Sequence, residues 1–353
     1  MSTFRIREPF ADAVESAVLP RLIRLSGGLY AAAFQLMKLL PAQFVLRRAM
    51  EQGLLTERTT VIETTSGTYG LGLAMVCRRL GLPLILVGDP AIESPLRRRL
   101  EDLGARVSIV SGQAVRTGGI QQARLDRVER IRQRHPDSFI PGQYDNPMHI
   151  NAYGRVAELI TESFPRLDAL VCPVGSGSSS TGIAGFLRMV WPELILIGVD
   201  TTGSVLFGAP NGRRRLRGLG NGLLPQVLDH SLFDEVHWIP AKDAFATTRR
   251  LHTDHTLFMG PTSGASYHVA RWWAERNPGA TVLAVMPDEG HRYQRTVYHD
   301  AWLGREGFAG DEVAKEPLDI AHPGELGQVW SRYPWGRRTR AQVVEERATL
   351  DAR

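Results

Sequence analysis

One lysine of this 353-residue chain lies where an amine is costly. The chain has three lysines, and Lys242 (IPAKDA) and Lys315 (VAKEP) have the polar, acidic neighbours typical of a surface. Lys38 lies in the apolar run AAAFQLMKLLPA, where a charged group needs a partner or a function. Two interpretations stay open from this feature alone: a side chain that reaches water from a helix end, or an amine with a lowered pKa that serves as a nucleophile.

A first polar loop follows a short apolar strand, in the segment VIET-TSGTYG-LGLAM. It holds Thr65, Ser66, Gly67, Thr68 and Tyr69 between that strand and the start of a helix. In an open α/β sheet this is the mouth of the ligand crevice, where free backbone N–H groups, hydroxyls and the helix dipole suit a carboxylate. The alternative is that these residues only form a capped turn.

A second polar loop has the same setting, in LVCPV-GSGSSSTG-IAGFL. Glycines let the backbone close on a ligand, so the loop predicts a phosphate site rather than a plain connection. It is not a Walker loop, since no GK[ST] follows, and it is not GxGxxG, since Ser180 holds the third glycine position. The loop holds Gly175, Ser176, Gly177, Ser178, Ser179, Ser180, Thr181 and Gly182.

A phosphate loop, a carboxylate loop and one sequestered lysine are together the parts that pyridoxal-phosphate (PLP) chemistry on an amino acid requires. The lysine holds the cofactor covalently, the glycine-rich loop binds its phosphate, and the other loop orients the substrate carboxylate. Burial near the cofactor would lower the pKa of Lys38, so that the free amine attacks and later moves the α-proton.

The elements that position these loops alternate between strand and helix from about residue 59 onward. This rhythm predicts parallel sheets with helices on their faces, in two α/β units joined near residue 150. The segment after about Pro317, rich in Pro, Gly and mixed charge, is expected to be an appendage or poorly ordered.

Five motifs, in order and over about residues 29 to 300, resemble those of the fold-type II PLP enzymes of the cysteine synthase and cystathionine β-synthase family. TSGTYGLGLA resembles TSGNTGxxLA, GQYDNP resembles QxxNP, GSGSSSTG resembles GTGGTxTG, GLGNGLLP resembles GIGxGxxP, and GPTSGAS resembles GxSSGA. VDTTGSVLFG and PDEGHRY are most similar to the siderophore branch, the N-(2-amino-2-carboxyethyl)-L-glutamate synthases, which join O-phosphoserine and glutamate towards 2,3-diaminopropionate. One departure concerns the lysine, whose flank AAAFQLMKLL lacks the polar residues of the family pattern NPxGSxKDR.

The resemblance implies a fold and a set of roles. The fold would be tryptophan synthase β-subunit-like, with two domains that each contain an open, twisted, mostly parallel sheet flanked by helices. Residues 1–41 and 150–316 would form the large PLP-binding domain, 42–149 a small mobile domain, and 317–353 a C-terminal extension. Lys38 would be the catalytic lysine, Gly175 to Ser179 would hold the cofactor phosphate, Thr68 would lie beside the ring hydroxyl and Thr262 would face the pyridine nitrogen. The substrate carboxylate would be held by Thr65, Ser66, Gly67 and Gln143.

The implied activity is β-replacement on an activated L-serine, O-phospho- or O-acetylserine, through an aminoacrylate that sulfide or an amino-acid amine then attacks. A PLP-dependent β-eliminating lyase that releases ammonia and pyruvate stays open, as does a PLP-binding protein without turnover.

Composition restricts the class further. Apolar residues make up 43% and charged residues 22% of the chain, and the net charge of +5 comes from scattered arginines. These numbers favour a soluble globular protein with small amino-acid substrates, and they indicate neither nucleic acid nor membrane as a partner. Two cysteines and no metal-binding spacing suit a reducing cytoplasm, and a homodimer is expected from the family.

Overall fold

The computed structural model describes residues 9–110, 119–310 and 312–351, which contain two β-sheets flanked by helices. The larger sheet has eight strands, numbered here in chain order: β1 (Arg21–Ser26), β2 (Leu29–Ala33), β7 (Ala169–Pro173), β8 (Ile195–Asp200), β9 (Glu235–Trp238), β10 (Val282–Met286), β11 (Leu318–Asp319) and β12 (Ser331–Tyr333). The smaller sheet has four: β3 (Thr60–Thr64), β4 (Leu84–Gly88), β5 (Ala105–Ile109) and β6 (Ser138–Phe139).

Twelve α-helices lie in the described part of the chain. They are α1 (Ala13–Ala17), α2 (Leu39–Glu51), α3 (Thr68–Leu80), α4 (Ser94–Asp102), α5 (Gly119–Arg132), α6 (Met148–Asn151), α7 (Gly154–Ser163), α8 (Ser178–Arg188), α9 (Ala241–His255), α10 (Pro261–Arg276), α11 (Asp300–Glu306) and α12 (Arg340–Asp351). None of these helices is both long and apolar enough to cross a membrane.

The strand order confirms the expected α/β class. The smaller sheet, β5-β4-β3-β6, is parallel throughout, and β2, β10, β7, β8 and β9 form a parallel core in the larger one. Every residue of β4, β7 and β10 is buried, which is the continuous apolar pattern of strands that are covered on both faces. The larger sheet is mixed, because β1 pairs antiparallel with β2 and β12 pairs antiparallel with β9.

The C-terminal extension differs from the appendage that its composition suggests. β12 adds to the edge of the larger sheet beside β9, and β11 pairs with β12. Trp330 and Trp335 are each 1% exposed, and the Trp335 indole donates to the backbone oxygen of His230. Two large apolar side chains therefore fix this segment to the fold, an effect that outweighs its Pro- and Gly-rich composition.

The carboxyl ends of four parallel strands meet at one cleft. The first polar loop, Thr65–Gly67, follows β3, and the second polar loop, called the Gly/Ser loop below, follows β7. Lys38 lies beyond β2, and residues 287–293 follow β10. Ligands in open α/β sheets bind at this end of the strands, so the fold places the chemistry-bearing segments together.

Candidate functional site

Lys38 lies at the start of α2, where the chain turns out of β2. The backbone is tied to the end of β10, since Phe34 N donates to Met286 O (2.9 Å) and Met37 N donates to Pro287 O (2.8 Å). The Lys38 side chain crosses to the second polar loop, where its Nζ donates to Ser176 Oγ at 2.9 Å. The two other lysines, Lys242 and Lys315, are exposed. Lys38 is therefore the lysine that faces the cleft.

Burial lowers the pKa of the Lys38 amine from 10.5 to about 8. The cause is the loss of solvent around the ammonium, because one hydrogen bond to the hydroxyl of Ser176 does not replace the solvation that water would give the charged form. An amine with this pKa is roughly half unprotonated at pH 8, whereas an unshifted lysine is under roughly 1% unprotonated there. Lys38 thus carries a nucleophilic amine near neutral pH.

A pH dependence follows from this shift. Only the unprotonated amine attacks an aldehyde, so the rate at which the PLP-free protein takes up PLP covalently will rise with pH and level off above about pH 8 to 9. Absorbance after rapid mixing measures that rate. A rate that keeps rising to pH 10 would show an ordinary lysine pKa and contradict the shift.

The Gly/Ser loop ends in the first turn of α8. Among the described residues, the backbone N–H groups of Ser178, Ser179 and Ser180 have no backbone acceptor, as expected for the first residues of a helix. Two hydroxyls join them, because Ser176 Oγ lies 3.1 Å from Ser178 Oγ. Free N–H donors at the positive end of a helix, with two serine hydroxyls, are the donor set that a phosphate monoester requires. The loop therefore fits the phosphate of PLP.

The first polar loop is held open by its own threonine. Thr65 Oγ1 accepts from the backbone N–H of Gly67 (3.0 Å) and of Gly70 (2.9 Å), which fixes the loop against the start of α3. Acceptance uses the oxygen lone pairs, so the hydroxyl proton of Thr65 is free to be donated. The side chain of Ser66 is exposed to the cleft. This arrangement suits a ligand that accepts hydrogen bonds, such as a carboxylate.

Gln143 is fixed beside that loop by a buried carboxyl group. Glu63 Oε2 accepts from Gly142 N (2.8 Å) and Gln143 N (3.3 Å), while Gln143 Nε2 donates to Thr64 O (2.8 Å). Burial raises the pKa of Glu63 to about 7, and the three backbone N–H groups that bind its oxygens oppose the rise. Glu63 thus connects the two segments that were expected to hold the substrate carboxylate, the first polar loop and Gln143.

Two adjoining cavities occupy the cleft, and both include Lys38. The inner cavity, about 50 Å³, also contains Thr68, Ser179, Thr262 and Asp288 in its wall. The outer cavity, about 460 Å³, extends from Lys38 past the first polar loop to α5 and the loop that follows β8. The residues predicted from the sequence that line one or both are Lys38, Thr65, Ser66, Thr68, Gln143, Gly175, Ser176, Ser179 and Thr262.

Three predicted residues lie behind this lining. Gly67 is covered by Arg292, whose guanidinium fills the space that a Cβ there would need. Gly177 packs against Leu228, and Ser178 is fully buried behind Ser176. They lie within the loops that line the cavities.

The inner cavity also has a polar group that the sequence motifs did not indicate. Asp288 accepts from the Tyr293 hydroxyl at 2.8 Å, and burial raises the pKa of Asp288 to about 6. Thr262 Oγ1 donates to Arg217 O at 3.3 Å on the same wall. A polar run, PDEGHRY, directly after the buried strand β10 was the available signal, because it ends at the cleft.

The outer cavity also has polar residues that the motifs did not reveal. Arg124 is 4% exposed and donates to Asp89 Oδ2 at 2.9 Å, and its Nε has no hydrogen-bond partner among the described residues. Gln121 donates to Asn221 Oδ1 at 2.8 Å across the cavity. Their helix, α5, carries a weakly amphipathic sequence that gave no indication of a site.

Comparisons with known proteins agree with this geometry. The model of the family "Pyridoxal-phosphate dependent enzyme" matches residues 37–288. The chain is 32% identical over 309 residues to an N-(2-amino-2-carboxyethyl)-L-glutamate synthase of Cupriavidus metallidurans, with 83% of this chain and 90% of the relative covered. A synthase of the same name from Ralstonia nicotianae is 32% identical over 312 residues, covering 85% and 92%.

Solved structures show the same fold. The crystal structure of O-ureido-L-serine synthase superposes with a TM-score of 0.75 at 26% identity, covering 84% of this chain and 100% of that one. The O-acetylserine dependent cystathionine β-synthase from Helicobacter pylori superposes with a TM-score of 0.74 at 26% identity, covering 82% and 99%. The lysine, the two loops and these matches together show that the chain is an enzyme of the pyridoxal-phosphate-dependent family, of the cysteine synthase type with fold type II.

Proposed function

We propose that this enzyme catalyses β-replacement on an activated L-serine, either O-phospho-L-serine or O-acetyl-L-serine, with an amino-acid amine as the favoured nucleophile and sulfide as the other. One observation carries the proposal. The Lys38 Nζ lies 2.9 Å from Ser176 Oγ, in a cleft that also contains the free N–H groups of α8 and the loop Thr65–Gly67. The segments that we propose for the cofactor phosphate and the substrate carboxylate thus lie on either side of one amine.

The residues would divide the work as follows. Lys38 would bind PLP covalently and, once released, take the α-proton of the substrate at its Nζ. The loop residues Ser176 and Ser179 would hold the cofactor phosphate, and Thr65 and Gln143 would orient the substrate carboxylate. When bound, PLP supplies the electron sink that makes the α-proton acidic and lets the β-substituent leave.

Thr262 would face the pyridine nitrogen with a neutral hydroxyl. Its Oγ1 donates to Arg217 O at 3.3 Å, a long bond that the rotatable hydroxyl would exchange for donation to the ring nitrogen. A hydroxyl in place of an ionised carboxylate would leave that nitrogen unprotonated, which favours loss of the β-substituent over transamination.

The outer cavity supports an amino-acid nucleophile over sulfide. Beyond Lys38 its wall carries Gln121, Arg124, Tyr144 and Asn221, which together offer amide, guanidinium and phenol groups. Sulfide needs no such recognition, whereas an amino acid has a carboxylate and an amine that must be oriented. The two relatives named above are both N-(2-amino-2-carboxyethyl)-L-glutamate synthases, which also supports an amino-acid nucleophile.

Product analysis tests the function. The PLP-loaded enzyme would be incubated with either activated serine, alone and with sulfide, L-glutamate or other amino acids, and the products identified by mass spectrometry. A condensation product that forms only when the nucleophile is present is the expected result. Pyruvate and ammonia without any condensation product would establish the lyase alternative. Bound PLP with no product from either serine would establish binding without turnover.

Arg124 gives a prediction about the leaving group. Its guanidinium lines the outer cavity, has an Nε that no described residue binds, and is the kind of donor that a phosphate attracts. We expect the double variant Asp89→Asn with Arg124→Gln, which removes both charges of the buried pair, to lower kcat/KM for O-phosphoserine at least about tenfold relative to O-acetylserine. Steady-state kinetics with the two substrates measure this ratio.

The double variant is chosen because Arg124→Gln alone would leave Asp89 as a buried, unpaired carboxylate. The single variant Asp89→Asn serves as the control for the loss of the pair, since it keeps the guanidinium. An equal fall in kcat/KM for both serines would show that Arg124 does not recognise the leaving group.

A further inference from the structure

A third cavity lies on the far side of the residues that close the inner cavity. It measures about 310 Å³ and shares Arg217, Arg292 and Tyr293 with the inner cavity. Lys38 does not line it. We call it the arginine cavity, because five guanidiniums border it: Arg213, Arg214, Arg215, Arg217 and Arg292.

The charge of this cavity is strongly unbalanced. Two carboxylates, Glu93 and Glu306, stand against the five guanidiniums in the lining. Glu306 pairs with Arg215 at 3.0 Å and Glu93 pairs with Arg217 at 3.1 Å, and both pairs are partly exposed and therefore weak. Within the described residues Arg213 forms neither a hydrogen bond nor an ion pair. The lining thus keeps an excess of three positive charges.

The floor of the arginine cavity is aromatic. Phe245 packs edge-on against Phe308, with ring centroids 5.1 Å apart, and Trp302 stacks on Phe308 at 6.2 Å. Trp302 and Phe308 are only half-buried although both are large and apolar. A cationic rim over an apolar floor fits an organic anion better than a simple inorganic one, since the floor can bury carbon while the rim binds the charges.

The cavity is connected to the first polar loop by one side chain. Arg292 Nη2 donates to Ser66 O at 3.2 Å, and its guanidinium covers Gly67. The same side chain borders the arginine cavity on its other face. A ligand that binds Arg292 from the cavity therefore acts on the group that supports Ser66.

We propose that the arginine cavity binds a small organic anion with two or more negative charges, and that this binding is coupled through Arg292 to the loop Thr65–Gly67. The site excludes Lys38, although every arginine of its lining except Arg215 also borders the inner or the outer cavity. Its occupancy does not depend on which replacement reaction the enzyme catalyses. By linkage, the factor by which the anion changes the affinity for a substrate carboxylate equals the factor by which the substrate changes the affinity for the anion.

Calorimetric titration of the PLP-loaded enzyme with citrate tests the proposal, with sulfate at the same ionic strength as the inorganic comparison. Arg215 is the best position to change, because it borders the arginine cavity and neither of the other two. Arg215→Gln removes the charge, Arg215→Lys keeps it, and Arg106→Gln removes an exposed charge on β5 far from the cavity. Each titration is repeated in saturating L-serine.

We expect saturable citrate binding that persists in saturating L-serine and is at least about tenfold tighter than that of sulfate. Arg215→Gln should raise the citrate dissociation constant at least about fivefold, and Arg215→Lys and Arg106→Gln less than about twofold. Citrate that L-serine displaces, a citrate constant that Arg215→Gln leaves unchanged, or sulfate that binds as tightly would each overturn the site. An L-serine dissociation constant that saturating citrate leaves unchanged would overturn the coupling.

Discussion

Lys38→Ala will yield a folded protein that has no cofactor-derived visible absorbance and turns over at least about a thousandfold more slowly than the unchanged enzyme. The side chain supplies both the covalent bond to PLP and the base at the α-carbon, and loss of a positioned base alone costs about 10²- to 10⁴-fold. Absorbance of the purified protein after removal of free PLP, and the condensation assay, measure the two effects. The fold should persist, because truncation removes a desolvated amine whose pKa burial has already lowered.

Lys242→Ala is the matched control for that experiment. Lys242 lies at the exposed start of α9, so its removal should leave both the absorbance and the turnover unchanged. A visible spectrum that survives in Lys38→Ala and disappears in Lys242→Ala would contradict the assignment, as would a colourless parent protein.

Addition of methylamine or another small amine to Lys38→Ala separates the two roles of the lysine. A small amine can restore a base to the cavity that truncation opens, but it cannot restore the covalent tether. Partial recovery of turnover would support the role of Lys38 as the base, independently of its role as the anchor.

The sequence was most informative where local rules act alone. The strand-loop-helix units around Thr65 and Gly175 were predictable, because an apolar strand, a polar loop and a helix start are each local patterns. Their common position at one cleft followed from the rule that parallel strands present their carboxyl ends together.

The apolar flank of Lys38 also has a structural reason that the sequence alone could not supply. Phe34 and Leu39 are fully buried and Met37 is 5% exposed, so the residues around the lysine belong to the core between β2 and α2. The backbone bonds from Phe34 and Met37 to the end of β10 hold the lysine in place. In this chain packing and backbone bonds do the positioning around Lys38, where the family pattern has polar side chains.

Features that depend on distant parts of the chain were not predictable. The β1–β2 hairpin lies before about residue 59, where the alternation predicted from the sequence begins, and Arg292 reaches Ser66 across 226 positions of the chain. The burial of Trp335 against Phe207 likewise depends on a contact between distant segments, with ring centroids 5.0 Å apart. Composition describes what a segment prefers locally, and such tertiary contacts override it.

The Gly/Ser loop provides the second large expected effect, through Gly177→Ala. Gly177 immediately precedes α8 with φ of +88°, a conformation that costs a residue with a side chain about 1 to 3 kcal/mol. A Cβ there would also lie 2.6 Å from Leu228 Cδ1 and 2.9 Å from Leu228 Cα, so relief requires the loop or the backbone at Leu228 to move. A movement of the loop redirects the N–H groups of Ser178 to Ser180 that fit the cofactor phosphate.

We therefore expect Gly177→Ala to raise the dissociation constant for PLP roughly 30- to 100-fold, which corresponds to about 2 to 3 kcal/mol. Titration of the PLP-free protein with PLP, followed by fluorescence, measures it. Gly185→Ala is the control on the same helix, because the nearest atom to its Cβ is Leu232 Cδ1 at 4.0 Å. That change should leave PLP affinity within about twofold and raise helix stability by up to about 1 kcal/mol. Equal PLP affinity in the two variants would show that the phosphate does not bind at the start of α8.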